Sequence, residues 1–469
     1  MSKETIDSGR RRFLRNAGIL SMAGAVAACG VRVKTDSADS TAGEDTMTYR
    51  TNHNTGDRVS LLGYGCMRLP SLKDRTGREE DSETYDQESV NELTDYALAH
   101  GVNYFDTSPA YCRGLSEEIM GKALSRHPRD SYYLATKLSN FAESTWTREK
   151  SMEMFENSLA RLQTDYVDYL LLHGIGIGGM EALNGRYIDN GILQWLIEQK
   201  QAGRIRNLGF SYHGDIEVFD YLLAMMDRGE IHWDFAQIQL NYIDWLHAKQ
   251  INPRNTNADY LYEELTRRNI PAVIMEPLLG GRLAAVPAPV AAKMKELAPD
   301  ASAASWAFRF AGTPDNVLTV LSGMTYMEHL EDNVKTFSPL HPLTADEEAF
   351  LQRMALEILE NDTIPCTNCK YCMPCPYGVD IPEVFAQYNK CIDEGSVPRD
   401  TGDPDYRAAR RRFLFGMDRA LPRMRQADRC IACGKCVPHC PQSIPIPGRM
   451  RQISRYTDNL RNNTLGQDS

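Results

Sequence analysis

Twelve cysteines occur in the chain, and eight of them fall into two short runs near its end. The first reads Cys366-x2-Cys369-x2-Cys372-x2-Cys375-Pro376 and the second Cys430-x2-Cys433-x2-Cys436-x3-Cys440-Pro441. Disulfide frameworks belong mostly to small secreted domains, so cysteines this tightly spaced at the end of a long chain point to metal ligation. A zinc ribbon builds one tetrahedral site from two CxxC pairs. Three cysteines at two-residue spacing, with a remote fourth before proline, form instead the bacterial pattern for [4Fe-4S] clusters. In two-cluster proteins the fourth cysteine ligates the other cluster. Cys366, Cys369, Cys372 and Cys440 are therefore expected to hold one cluster, and Cys430, Cys433, Cys436 and Cys375 the second. The first run departs from the pattern in having two residues, not three, before its last cysteine.

A second set, Asp106, Tyr111, Lys137 and His173, has the residue types of a proton-delivery device. A phenol with a pKa of about 10 is a poor acid at neutral pH, and a nearby ammonium lowers that value by favouring the phenolate. Lys137 is expected to act on Tyr111 in this way, Asp106 to keep Lys137 charged, and His173 to orient a carbonyl and share in the proton relay. Singly, each residue has an ordinary structural explanation: a turn residue, a partly buried aromatic, a solvated strand end, a core histidine. Their order along the chain gives the set its meaning.

The elements that must position them are short apolar runs, each reading as a buried strand: Leu61 to Gly65, Tyr104 to Asp106, Tyr132 to Lys137, Tyr166 to Leu172, Asn207 to Ser211, Phe235 to Leu240, Pro271 to Met275 and Val317 to Leu321. Between them lie helical patterns such as Ser89 to His100, Ser116 to Leu124, Arg148 to Leu162 and Ile216 to Met226. Alternating strands and helices imply a parallel sheet, and eight repeats favour closure into a (β/α)8 TIM barrel, whose chemistry lies at the carboxyl ends of the strands. Each of the four residues lies at or just beyond such an end. A doubly wound open sheet is the alternative, but Gly63-Tyr64-Gly65-Cys66-Met67-Arg68 lacks the last glycine of a nucleotide fingerprint. The glycine cluster from Gly174 to Gly179 has no Lys-Ser/Thr and reads as a mobile loop over the barrel mouth.

With Asp106-Thr107-Ser108-Pro109-Ala110-Tyr111, Ala135-Thr136-Lys137 and Tyr169-Leu170-Leu171-Leu172-His173 in place, residues 47 to 343 resemble the aldo/keto reductase family. The resemblance implies hydride transfer between NAD(H) or NADP(H) and a small carbonyl or alcohol substrate, with Asp106, Tyr111, Lys137 and His173 as the catalytic tetrad and Tyr111 as general acid. It also implies that Ser211 and Gln237 contact the nicotinamide carboxamide, with Glu276, Pro277 and Leu278 following the seventh strand nearby. Ser322, Gly323 and Asn333 would lie by the pyrophosphate and adenosine, where a helix N-terminus suits an anion. Met275 stands where the family usually presents a stacking aromatic, and Tyr212 where it has Asn. Gly323 and His329 occupy positions where relatives preferring NADPH carry Lys or Arg, which leans against strict NADPH use.

The chain has 469 residues, 42% hydrophobic and 25% charged, the usage of an ordinary soluble globular protein. Its formal net charge of −11 argues against nucleic-acid binding. Gly9-Arg10-Arg11-Arg12-Phe13-Leu14-Arg15 and the apolar run Ala17 to Ala28 resemble a twin-arginine export signal over residues 1–30. Val26-Ala27-Ala28-Cys29 resembles a lipobox, so the exported protein is expected to be periplasmic or anchored to the membrane by a lipid on Cys29. Residues 31–46 read as a linker and 344–360 as a connecting helix. Residues 361–469 read as a mainly helical ferredoxin-type domain, with helices near Ile381 to Cys391 and Tyr406 to Leu421. From Asp403 to Arg461 there are 13 Lys or Arg against 5 Asp or Glu, which reads first as a solvated helical surface, and otherwise as a face that docks an acidic electron carrier or offsets the clusters' negative charge. The parts together suggest an oxidoreductase coupled to two [4Fe-4S] clusters. An iron-sulfur electron-transfer protein with a non-catalytic barrel, used for docking or sensing, is the alternative. Cys112, beside Tyr111, reads as a packing residue.

Overall fold

The computed structural model describes residues 46–76, 84–360 and 363–466. The expected export signal, Cys29 and all but the last residue of the linker lie outside the described residues.

Two short strands, β1 (Tyr49–Thr51) and β2 (Arg58–Ser60), form a hairpin ahead of a barrel. Eight parallel strands close that barrel in chain order: β3 (Leu62–Gly65), β4 (Tyr104–Asp106), β5 (Tyr133–Leu138), β6 (Val167–Ile175), β7 (Ile205–Tyr212), β8 (Phe235–Gln239), β9 (Ala272–Met275) and β10 (Val317–Ser322). Closure runs through Val320, Leu321 and Ser322 of β10 pairing with Leu62, Gly63 and Tyr64 of β3. The strands are apolar along their length because both faces are covered, by helices outside and by packed side chains within. Every residue of β6, β8 and β10 is buried. The surrounding helices begin where a side chain can take up a free amide: Thr147 accepts from the Lys150 amide, and Ser302 from that of Ser305.

The sequence pattern does not announce the β1–β2 hairpin. The Asn52 amide between its strands donates to the Tyr169 hydroxyl at 3.4 Å and the Asn207 side-chain oxygen at 3.3 Å. Val59 packs with Tyr104, Ala135, Tyr169 and Phe235 inside the barrel. The hairpin thereby plugs the end where the strands begin, and the opposite end is left for chemistry.

The glycine cluster corrects an expectation. Gly174 lies within β6, and Gly179 opens a short helix, Gly179–Leu183. Gly176, with φ of 92°, passes so close to the end of β7 that a Cβ there would meet the His213 carbonyl oxygen at 2.3 Å. The glycines serve a tight, packed turn at the rim and not a loop laid across the mouth.

Thr344 caps the helix Ala345–Leu359 in a reciprocal capping box with Glu347. That helix buries Leu351, Met354, Ala355 and Ile358 in the barrel's own core. The tail packs three longer helices, Ile381–Asp393, Tyr406–Ala420 and Ile446–Asn462, around a smaller core including Phe385, Phe413, Met450 and Ile453. Most of both cysteine runs lies in irregular segments outside these helices. No described helix is long and apolar enough to cross a membrane.

Candidate active site and cluster-binding loops

Asp106 ends β4, Lys137 lies in β5, and His173 lies near the end of β6, while Tyr111 follows β4 by one turn. Lys137 Nζ donates to Asp106 Oδ1 at 2.5 Å and to the Thr107 carbonyl at 3.0 Å, with both side chains almost wholly buried. It lies 4.8 Å from the centroid of the Tyr111 ring, and that ring meets His173 edge-on at 5.8 Å. All four residues line one cavity of about 420 Å³. Tyr111 is followed by two left-handed residues, Cys112 (φ 50°) and Arg113 (φ 57°). Each costs roughly 1–2 kcal/mol as a non-glycine residue, strain of the kind found where a side chain is aimed for function.

The electrostatics differ from the expected ammonium-activated phenol. Lys137 gives its hydrogen bonds to Asp106 and Thr107. Burial pushes the Tyr111 phenol well above its usual value, and the Asp106 carboxylate adds to the rise. Burial also raises Asp106 and lowers Lys137, each change opposed by the charge of the other. Tyr111 therefore stands protonated, with its proton available for donation. Burial pushes the Cys112 thiol up as well; it points to the carbonyls of Cys66 and Met67 as a packing residue does.

A chain of hydroxyls fixes His173. The Ala110 amide donates to Ser108 Oγ at 3.0 Å, Ser108 Oγ is 2.9 Å from Ser139 Oγ, and Ser139 Oγ is 2.5 Å from His173 Nδ1. Running the donors in one direction leaves Nδ1 an acceptor and puts the ring proton on Nε2, an assignment drawn from the network. Burial, then the nearby cations of Lys137 and Arg186, hold His173 well below its usual pKa, so the ring is neutral and presents an N–H to the cavity.

The cofactor positions line the same cavity: Ser211, Gln237, Glu276, Pro277, Leu278, Ser322, Gly323 and Asn333. Ser211 Oγ accepts from the Gly174 amide at 2.8 Å and keeps its own proton to donate. The buried Gln237 Oε1 has no partner among the described residues. A primary carboxamide, which both donates and accepts, suits that pair. Asn333 donates to Ser322 Oγ at 2.9 Å, at the helix Met327–Phe337 that follows β10. Glu276 has a left-handed backbone (φ 55°), and its buried carboxyl is pushed up by burial, against the Arg68 cation and hydrogen bonds from Gly280 and Thr367. Met275 lines the cavity, whereas the Tyr212 hydroxyl turns to the Gly214 carbonyl at 2.6 Å.

None of the eleven cysteines among the described residues is in a disulfide. Burial raises the Cys372 thiol, and Cys369, Cys366 and Cys440 raise it further. Cys436 is raised by burial and then by Cys430, Cys433 and Cys375. The Cys372 thiol thus lies near those of Cys366, Cys369 and Cys440, and the Cys436 thiol near those of Cys430, Cys433 and Cys375. Among the described residues no three such side chains converge on the spacing of a single metal ion. Zinc would draw its sulfurs to about 2.3 Å from one centre, whereas a four-iron cluster takes each thiolate at a different iron. Donor sets made of thiols alone suit an iron-sulfur cluster.

The first cysteine group stands over the barrel mouth. Thr367, Cys369 and Tyr371, with Pro441 and Gln442 beside Cys440, line the same cavity as Tyr111 and His173. The Tyr371 hydroxyl is 3.4 Å from His173 Nε2, and its ring centroid is 6.0 Å from that of Phe141. Arg68, after β3, donates to the Thr367 carbonyl and, at 3.3 Å, to that of Gly280, bridging barrel and tail.

Residues 61–354 match the family model of the aldo/keto reductases. The chain belongs to that family. Residues 365–444 match the 4Fe-4S dicluster domain, so this aldo/keto reductase carries an iron-sulfur module. L-galactose dehydrogenase of Arabidopsis thaliana is 28% identical over 332 residues, 66% of this chain and 95% of that protein. An uncharacterised oxidoreductase of Bacillus subtilis is 26% identical, covering 63% and 92%. Among solved structures, an aldo-keto reductase of Bacillus halodurans in its holo form superposes with a TM-score of 0.50 at 26% identity, covering 66% of this chain and 96% of its own. Both sequence relatives leave roughly a third of this chain unmatched.

Sequence reasoning missed Arg68, Tyr371 and Gln442 at this reductase's cavity. Tyr371 lies between two cluster ligands and Gln442 two residues after a third, where ligation absorbs all the sequence signal. A polar or aromatic residue inside a ligand run, in a chain that also carries a catalytic barrel, is the available hint.

Proposed function

We propose that this aldo/keto reductase transfers hydride between a nicotinamide dinucleotide and a carbonyl or alcohol, and that two [4Fe-4S] clusters exchange electrons with that site. The observation that carries this reading is the single cavity lined by Asp106, Tyr111, Lys137 and His173 from the barrel and by Cys369 and Tyr371 from the tail. When bound, a nicotinamide would supply or remove a hydride; in place of carbonyl reduction, oxidation of one NADH to NAD+ and a proton would release two electrons, one to each of two clusters.

The chain's own groups divide the remaining work. Gln237 Oε1 and the Ser211 hydroxyl orient the carboxamide; Ser322, Gly323 and Asn333 face the rest of the dinucleotide. Tyr111 gives its proton to the substrate oxygen in reduction and takes it back in oxidation, while His173 Nε2–H fixes that oxygen. Lys137 and Asp106 brace Tyr111 from below. Glu328 and Asp332 line the cavity with His329, where their charge would repel a 2′-phosphate, which favours NAD(H) over NADP(H).

The clusters would be held by Cys366, Cys369, Cys372 and Cys440, and by Cys430, Cys433, Cys436 and Cys375. The basic tail would receive an acidic electron-carrier protein. The N-terminal sequence supports export by the twin-arginine route, to a periplasmic or Cys29-anchored location. Fractionation of cells expressing the Arg11→Lys/Arg12→Lys double variant tests this, with retention in the cytoplasm as the expected result.

Tyr111→Phe tests the reductase itself. Substrate-dependent NADH oxidation should fall about 10²–10⁴-fold with NADH affinity retained. Unchanged turnover would make the barrel a scaffold.

A further inference from the structure

We propose that Arg68 and Arg282, two guanidiniums of the barrel, raise the reduction potential of the cluster held by Cys366, Cys369, Cys372 and Cys440, and so favour electron entry from the barrel. The inference rests on the ligation and electron exchange proposed above and names two residues that tune them.

Both cations reach the first cysteine run across the joint between barrel and tail. Arg68 donates to the Thr367 carbonyl, between Cys366 and Cys369, and at 3.3 Å to that of Gly280. Its stem lies against Gly323, where a Cβ would meet Arg68 Cδ at 3.4 Å. One side chain thus spans from the nucleotide cavity to the cluster loop. Arg282 donates through Nη2 to Thr363 Oγ1, on the segment leading into Cys366. That segment is fixed: the Ile364 amide donates to Asn389 Oδ1 and its carbonyl accepts from Asn389 Nδ2, both at 2.7 Å. The Cys366 amide then donates to the same carbonyl at 2.7 Å. Arg282 Nη1 is buried and has no partner among the described residues. Both charges act on the first ligand. Burial lifts the Cys366 thiol, and the Asn368 amide and the Arg68 cation oppose the rise. Burial weakens the Arg282 cation, and Asp393, Asp244 and Cys366 hold it charged.

A four-iron cluster on four thiolates is already anionic, and taking up one electron adds a further negative charge. Cluster potentials follow net charge and exposure to solvent. A fixed cation away from water attracts the reduced form more strongly than the oxidised one, which raises the potential. The cations beside the second run, Arg429 and Lys435, are exposed, as is Cys433, and there water and salt weaken the same effect.

Anaerobic titration of the cluster-loaded protein with dithionite and mediator dyes, followed by electron paramagnetic resonance, reads the two midpoints. Arg68→Gln, which keeps hydrogen-bond donors without the charge, and Arg282→Gln should each lower the reduction constant of one couple about tenfold, or about 59 mV for one electron. The other couple should stay in place, and Arg68→Lys and Arg282→Lys should restore most of the loss. The couple that moves should be the one that Cys440→Ser removes. Should Arg68→Gln lose iron, Arg282→Gln decides alone, since its partner lies outside the cysteine run. Midpoints unmoved in the Gln variants, equal falls in the Gln and Lys variants, or movement of the couple that Cys375→Ser removes would overturn the inference. The titration uses no NADH, so clusters reduced by dithionite and not by NADH would defeat the shared electron path and leave this assignment standing on its own midpoints.

Discussion

Gly280 and Thr367 meet backbone to backbone: a Cβ built on Gly280, whose φ is 70°, would lie 2.3 Å from the Thr367 Cα. This contact sets how closely the first cluster loop approaches the barrel mouth. Gly280→Ala should cost about 1–3 kcal/mol through overpacking and further through its left-handed backbone, and should loosen the tail from the barrel. Gly281, with φ of 100° and open space within 4 Å of where a Cβ would sit, is the control, since alanine there meets backbone strain alone. Limited proteolysis should cut Gly280→Ala faster than Gly281→Ala.

Breaking the buried pair should hurt folding as well as turnover. Lys137→Met leaves the Asp106 carboxylate buried opposite no cation, a loss of about 3–5 kcal/mol. Urea unfolding of this variant should show a lower midpoint, and Asp106→Asn/Lys137→Met should recover part of it.

His173 gives a signed pH dependence. Burial holds its pKa in the folded protein well below the ordinary histidine value of 6.5, so the unfolded chain takes up the proton first as pH falls. Above about pH 6.5 the residue is neutral in both states and contributes no slope; below it, stability drops by up to about 1.4 kcal/mol per pH unit until the folded ring also protonates. Between pH 7.5 and 5.5 the thermal midpoint of the parent protein should fall further than that of His173→Gln.

The crossed ligation proposed for the two clusters predicts which of them each cysteine serves. Cys440→Ser, in the second run, should damage the cluster beside Tyr371, whereas Cys375→Ser, in the first run, should damage the distant one. Iron content and electron paramagnetic resonance after partial reduction distinguish the two, each variant losing a different signal.

Much of this arrangement was legible in residue order. All eight barrel strands follow from runs such as Tyr166 to Leu172, because burial on both faces leaves an unbroken apolar stretch. The hairpin Tyr49–Ser60 was not legible, since three-residue strands carry no period. The phenol at Tyr111 was misjudged because proximity to Lys137 could be inferred but not the depth of burial or the direction of the ammonium's hydrogen bonds. Tyr371 and Gln442 escaped notice for a different reason: they reach the barrel's cavity only once the tail rests on the barrel, and no local pattern encodes that docking.

Barrel and clusters are proposed to share one electron path. Rapid anaerobic mixing of the cluster-loaded protein with NADH, followed through the broad visible iron-sulfur absorbance, tests it most directly. NADH should bleach this absorbance, and Gln237→Ala with Asn333→Ala, which remove two side chains of the nucleotide cavity, should abolish the bleaching. Clusters that bleach with dithionite but stay oxidised under saturating NADH would contradict it.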